Sequence, residues 1–191
     1  MKITKMYFAL LFFAMFSVLF AQGKDYSNDP GYVDFGDLTE FESGESVTEV
    51  YLDENLLQMV AKIAKENEPE MADLLSGLKL IKVNAYEVSD DNENEILSKM
   101  ETVDKKLSGK SWQRIVKRRG KGETAYVYVH TSDSDKFTGL VVLAFDKPGE
   151  AAFVNIVGDI NLETIGKLTK RFNIPALQKV DERENYKEGN K

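Results

Sequence analysis

Tyr126, Tyr128 and His130, three side chains able to take part in proton chemistry, fall on alternate positions of one short stretch. Period-two spacing puts them on one face of a strand. An imidazole among phenols works as a general base if a carboxylate or hydroxyl orients it and the face lines a cleft. The competing reading is a half-exposed sheet face on which Tyr and His pack against their neighbours. His130 is the one histidine, and the chain has no cysteine. Without a thiolate, a second imidazole or a Gly-x-Ser-x-Gly elbow, nucleophilic catalysis has few parts to draw on. Transition metals need several nitrogen or sulfur ligands, so none is expected. Calcium takes oxygens alone, and Asp90, Asn92 and Asn94 copy part of an EF-hand loop, but Glu95 stands where that loop needs glycine. We expect no metal and no cofactor.

The other chemistry on offer is anion recognition. Lys105, Lys106, Lys110, Arg114, Lys117, Arg118, Arg119 and Lys121 occur with no acid between them, in a chain of 32 acids, 25 bases and net charge −7. Counted by twos, Arg114 and Arg118 share a face with Trp112, and Lys117 and Arg119 face away. Lys110, Trp112, Arg114, Lys117, Arg118, Arg119 and Lys121 therefore form a candidate binding hairpin for lipid headgroups, an anionic envelope polymer or an envelope protein. The alternative is a solvated hairpin that balances the acidic lead-in of the same molecule, around residues 34–54. The acidic total argues against nucleic acid. It also makes facing carboxylates common by chance, so spacing alone assigns no glycosidase-type pair.

These residues need elements to hold them. Residues 22–46 are acidic, rich in glycine and without clear periodicity, and read as an extended, partly mobile lead-in from which Tyr32, Val33 and Phe35 can dock. Val47–Leu52 alternates as a strand, and Asp53 can cap a helix that turns Leu56, Val60 and Ile63 inward, with Leu57 and Ala64 flanking. Pro69 opens a second short helix that Gly77 ends. Leu78–Val88 is the next strand, and a strand–helix–helix–strand unit most simply makes its strands parallel neighbours. Residues 92–108 repeat Ile96, Met100, Val103 and Leu107 behind an Asn92/Glu95 capping box. Four strands follow, Trp112–Arg118, Thr124–Thr131, Phe137–Phe145 and Ala151–Gly158, joined by turn sequences that include a solvated Asp133/Asp135 turn. They predict an antiparallel meander whose last two strands, apolar on both faces, lie mid-sheet. A last helix opens at Asn161 and carries Leu162, Ile165 and Leu168 inward.

The prediction is an α+β fold: a mostly antiparallel sheet of about six strands, in the order β-α-α-β-α-β-β-β-β-α, with helices mainly on one face. Residues 47–175 make one domain, and 176–191 a charged, disordered tail. Lys2 and Lys5, the apolar run Met6–Phe20 and then Ala21 form an export signal, expected to be cut after Ala21. The run is about 15 residues, short of the roughly 20 a membrane-spanning helix needs. Cleavage removes two lysines and no acid, which moves the net charge from −7 to −9. Gln22 stands where a lipoprotein would carry cysteine, so the expected product is periplasmic or secreted, with no transmembrane span and no lipid anchor.

Tyr32-Val-Asp-Phe35, Ser76-Gly-Leu-Lys-Leu-Ile-Lys-Val-Asn-Ala-Tyr86, Gly139-Leu-Val-Val, Gly149-Glu-Ala-Ala-Phe-Val-Asn-Ile-Val-Gly-Asp159 and Leu162-Glu-Thr-Ile-Gly-Lys-Leu168 resemble the exported family catalogued as domain of unknown function 4252. The resemblance spans roughly residues 30–175. It implies a protein of Bacteroidota and hence a Gram-negative periplasm, and it implies no activity. Together these readings favour a non-enzymatic envelope binding or interaction module using the basic hairpin. The alternative is a small hydrolase or ligand-binding enzyme using the Tyr126/Tyr128/His130 face.

Overall fold

A computed structural model describes residues 24–42, 46–109, 111–132 and 137–160. The expected signal 1–21 and its cut after Ala21, Lys110, the Asp133/Asp135 turn, the helix from Asn161 and the tail 176–191 lie outside the described residues. The elements run β1 (Val47–Asp53), α1 (Glu54–Ala64), α2 (Pro69–Ser76), β2 (Leu78–Val88), α3 (Glu93–Leu107), β3 (Trp112–Gly120), β4 (Glu123–Thr131), β5 (Phe137–Asp146) and β6 (Gly149–Ile160). The strands form one antiparallel sheet in the order β1-β2-β6-β5-β4-β3. The α+β class, the β3–β6 meander and the central place of the doubly apolar β5 and β6 agree with the sequence.

The β1–β2 pairing does not. Val47 lies opposite Tyr86 and Asp53 opposite Leu80, so these strands are antiparallel. A single crossover helix would carry the chain back to where β1 began. Here α1, about 16 Å long, leads away and α2, about 12 Å long, leads back, at a rise of 1.5 Å per residue. The chain re-enters the sheet at the end where β1 stopped. Asp53 caps α1 as expected, its Oδ1 accepting from Leu56 N at 2.9 Å. Asn92 does not cap α3 with its side chain; it accepts from Ser89 N and donates to Glu87 O, each at 2.9 Å, and so ties down the β2–α3 loop.

The helices divide between the two sheet faces instead of sharing mainly one. Leu57, Ala61, Ala72 and Leu75 of α1 and α2 pack in one cluster with Ile81, Val127, Val129, Leu140, Val142, Val154 and Ile156. Ile96, Met100, Val103 and Leu107 of α3 pack on the other face with Tyr86, Tyr126, Tyr128, Val141, Leu143 and Phe153. Helix α1 presents a different arc from the one predicted. Leu57 and Ala61 are buried, and Leu56, Met59, Val60 and Ile63 are exposed. Apolar residues cover most of this helix, so their period defines a helix without choosing its inner arc. Leu57 and the small Ala61 form the arc that packs on the sheet.

The lead-in belongs to the core of the α3 face. Val33, Phe35, Leu38 and Phe41 join its cluster, with Phe41 fully buried and edge-on to Tyr86. The lead-in crosses β5 at a point where two glycines meet. A Cβ on Gly31 would stand 1.9 Å from Thr138 O, and one on Gly139 would stand 2.5 Å from Gly31 Cα and 2.7 Å from the Trp112 ring. Gly139→Ala should therefore lift the lead-in or displace Trp112, at about 2 kcal/mol of overpacking. Trp112 is the chain's one tryptophan, so its emission during urea unfolding reads the effect directly. An unchanged midpoint and spectrum would contradict the crossing.

Candidate binding surface

The residues of β3 favour a strand, with Trp112, Ile115 and Val116 among polar positions, and the turn to β4 closes through Lys121 and Gly122. Gly122 takes a φ of 79°, a conformation that glycine adopts without strain. Its carbonyl accepts from Lys147 N at 2.9 Å, which fixes the tip against the β5–β6 turn. The β3–β4 register shifts between Arg114 and Val116. This bulge at Ile115 resets the alternation. Arg114 lies opposite Tyr128, Lys117 opposite Tyr126 and Arg118 opposite Ala125. Trp112, Arg114, Lys117 and Arg119 thus share the α3 face and Arg118 points the other way, which corrects the grouping obtained by counting in twos.

On the α3 face the bases meet partners from their own molecule. Arg114 Nη1 binds Asp104 Oδ1 at 2.8 Å and Tyr128 OH at 3.2 Å. Arg119 donates from Nε to Tyr126 OH at 2.7 Å and from Nη2 to Glu101 Oε1 at 3.2 Å. Lys117 Nζ lies 5.7 Å from the Tyr126 ring centroid, within cation–π range. On the opposite face Arg118 pairs with Glu123. The predicted balance between hairpin and lead-in takes another form. Lys99 and Lys106 of α3 hold the lead-in, donating to the backbone carbonyls of Asp37 and Asp34 at 2.6 Å each. Lys121 is exposed at the tip.

Asp104 is the centre of this network. Burial pushes its carboxyl up, but hydrogen bonds from Tyr128 and Arg114, with the charges of Arg114 and Lys117, outweigh burial and hold it below the usual range. Tyr128 moves the opposite way: burial raises its phenol, and the hydrogen bond to Asp104 adds to that. Ser108 Oγ lies 3.1 Å from the same phenol oxygen. Sequence reasoning missed Asp104. The available signal was an acid between Val103 and Leu107 on the apolar arc of α3.

Tyr126, Tyr128 and His130 do share a face, but it lies under α3 and the lead-in and does not line a cleft. The two tyrosines are 1% exposed and His130 8%. His130 has Nδ1 2.7 Å from Thr138 Oγ1 and Nε2 3.0 Å from Ser111 Oγ, with Trp112 edge-on at 5.3 Å. Those partners satisfy a buried imidazole. The geometric basis of the ligand-face alternative is thereby lost. Among the described residues, no group of three or more His, Asp or Glu is placed to hold a metal. A depression of about 340 Å³ is lined by Glu40, Asn94, Glu95, Ser98, Lys99 and Thr102. It lacks the apolar and aromatic lining of small-molecule pockets.

Fold and surface define a class: an α+β module with one antiparallel sheet sealed on both faces and a basic edge strand stitched to a helix. Within that class, the chain belongs to the family described as domain of unknown function (DUF4252), whose model matches residues 41–168. The match opens at Phe41, so most of the docked lead-in precedes it. Comparison with curated proteins finds no match, and comparison with solved structures finds none. Among the described residues no helix is long and apolar enough to cross a membrane.

Proposed function

We propose that the chain is a non-enzymatic binding module of the cell envelope, exported to the periplasm or beyond, that meets an anionic partner along β3 and its tip. One observation carries this reading. Lys117, Arg118, Arg119 and Lys121 stay exposed on and beside a strand that, among the described residues, has no outer neighbour. Their pairs with Glu101 and Glu123 are open to solvent, and such pairs exchange readily for another anion. The export part rests on Lys2, Lys5 and the apolar run Met6–Phe20.

Arg114 is not part of the contact, because its guanidinium is committed to Asp104. Replacing Lys117, Arg118, Arg119 and Lys121 together by Glu should weaken binding to an immobilised polyanion by at least about tenfold, and wild-type binding should fall as salt rises. Retention unchanged by the four substitutions, in a variant with wild-type circular dichroism, would end this reading.

A further inference from the structure

The two edges of the sheet are built differently. Edge strand β3 carries a bulge and a run of Lys and Arg, the usual protection against edge-to-edge pairing. Edge strand β1, Val47–Asp53, has no bulge, proline or basic residue, and no strand pairs with its outer side among the described residues. Its mid-strand charge, Glu49, turns back to accept from Asn84 Nδ2 at 2.8 Å. Val47 and Tyr51 remain 40% and 51% exposed.

Helix α1 follows β1 directly and brings an apolar flank to the same edge. Leu56, Met59, Val60 and Ile63, spaced i, i+3, i+4 and i+7, are 43%, 58%, 45% and 71% exposed. The stretch Asn55–Ala61 carries no charge, in a chain that is 30% charged. Gln58 Nε2 donates to Ser76 O at 3.0 Å, which places α2 on the other flank of α1. A flank turned inward over β6 and β5 would be buried, as Val154, Ile156, Leu140 and Val142 are. The apolar flank therefore faces out over β1.

We propose that this edge is a self-association surface, with β1 pairing antiparallel to β1 of a second copy. The two-fold axis of such a pair stands perpendicular to the sheet. It keeps equivalent faces on the same side, so α1 lies beside α1 of the other copy across the seam. One operation covers both the open strand and the apolar flank. Area favours the same arrangement. Four side chains make a patch of a few hundred Å², and two such patches alone fall short of the roughly 1,200 Å² at which specific interfaces begin. The strand contact supplies the remainder. A single extended peptide added to β1 would leave the helix flank open.

Sedimentation of the purified chain, processed as its cell processes it, should show a dimer at micromolar concentration. Met59→Lys with Ile63→Lys changes only exposed positions and should raise the dimer Kd by at least about 100-fold, the loss of two anchor side chains. Tyr51→Glu, on the other element, should act in the same direction. Amide exchange within Val47–Asp53 should slow in the dimer and return to the faster rate in the monomeric variants. Salt should strengthen this association, since it screens two acidic copies, whereas it weakens the anion contact at β3. A monomeric wild type, a dimer unmoved by these substitutions, or exchange in β1 that ignores dimerisation would each overturn the proposal.

Discussion

Asn155→Leu is expected to lower the unfolding free energy by about 4 kcal/mol and to release the lead-in from the sheet, because it orphans two buried backbone groups at about 1–3 kcal/mol each. Asn155 is fully buried in the centre of β6. Its Oδ1 accepts from Val33 N at 2.9 Å, and its Nδ2 donates to Gly31 O at 2.9 Å and to Leu140 O at 3.3 Å. The amide thus stands in for a neighbouring strand and binds both polar groups of the crossing chain. Leucine keeps the number of side-chain heavy atoms but carries two bulkier methyls into a fully buried site, so some overpacking adds to the loss of the hydrogen bonds. The exposure of the Val33 amide is the readout specific to that loss. Asn155→Asp is a sharper companion. Its carboxylate still accepts from Val33 but turns a charge toward two carbonyls, so burial and those carbonyls raise its pKa. A raised folded pKa means that the penalty is full at neutral pH and eases as pH falls and the carboxyl gains a proton to donate. Urea midpoints and exchange of the Val33 amide would measure both variants. A Val33 amide as protected in Asn155→Leu as in the wild type would sink the argument.

Where the sequence reading succeeded and where it stopped follows from how far apart the interacting residues lie. Strands β3–β6 were legible because adjacent apolar runs and turn residues specify a meander locally, and the two-sided apolar pattern of β5 and β6 placed them at the centre. The direction of β1 against β2 was not legible, since it depends on where a helical hairpin returns the chain. The lead-in looked mobile because its acids and glycines hide five apolar positions, Tyr26, Val33, Phe35, Leu38 and Phe41, that are all buried. One of its anchors lies 122 residues away in Asn155. That residue had a visible signal, one amide in the otherwise apolar run Ala152–Val157, but a lone polar residue does not name its partner. At the candidate site, residue types pointed to a basic hairpin, and the bulge at Ile115 then redistributed the bases. Three of them turned toward α3, where sequence reasoning treats Glu101 only as a helix residue and passes over Asp104.

Asp104→Ala should cost about 3 kcal/mol, the low end for removing one partner of a buried ion pair, since the Arg114 side chain keeps 32% of its exposure. The loss touches two groups at once. Arg114 loses its counter-charge, and the Tyr128 phenol, 1% exposed, loses its carboxylate acceptor and keeps Ser108, the guanidinium beside it and the longer contact to the backbone carbonyl of residue 104 at 3.3 Å. The pH dependence has a definite sign. The folded carboxyl is held below its usual range, so its contribution is fully present above the unfolded value of about 3.9 and is lost as pH falls through the lower folded value. Asp104→Asn cannot ionise and should lack that acid limb. Its deficit against the wild type should be constant near neutral pH and shrink under acid conditions. Arg114→Met with Asp104→Asn closes a double-mutant cycle, in which contact through one network predicts strong non-additivity. Additive losses, or a deficit that persists unchanged to low pH, would show that the α3–β3 seam is held by packing alone. The basic strand would then owe nothing of its position to Asp104, and Arg114 would return to the set of bases available to a partner.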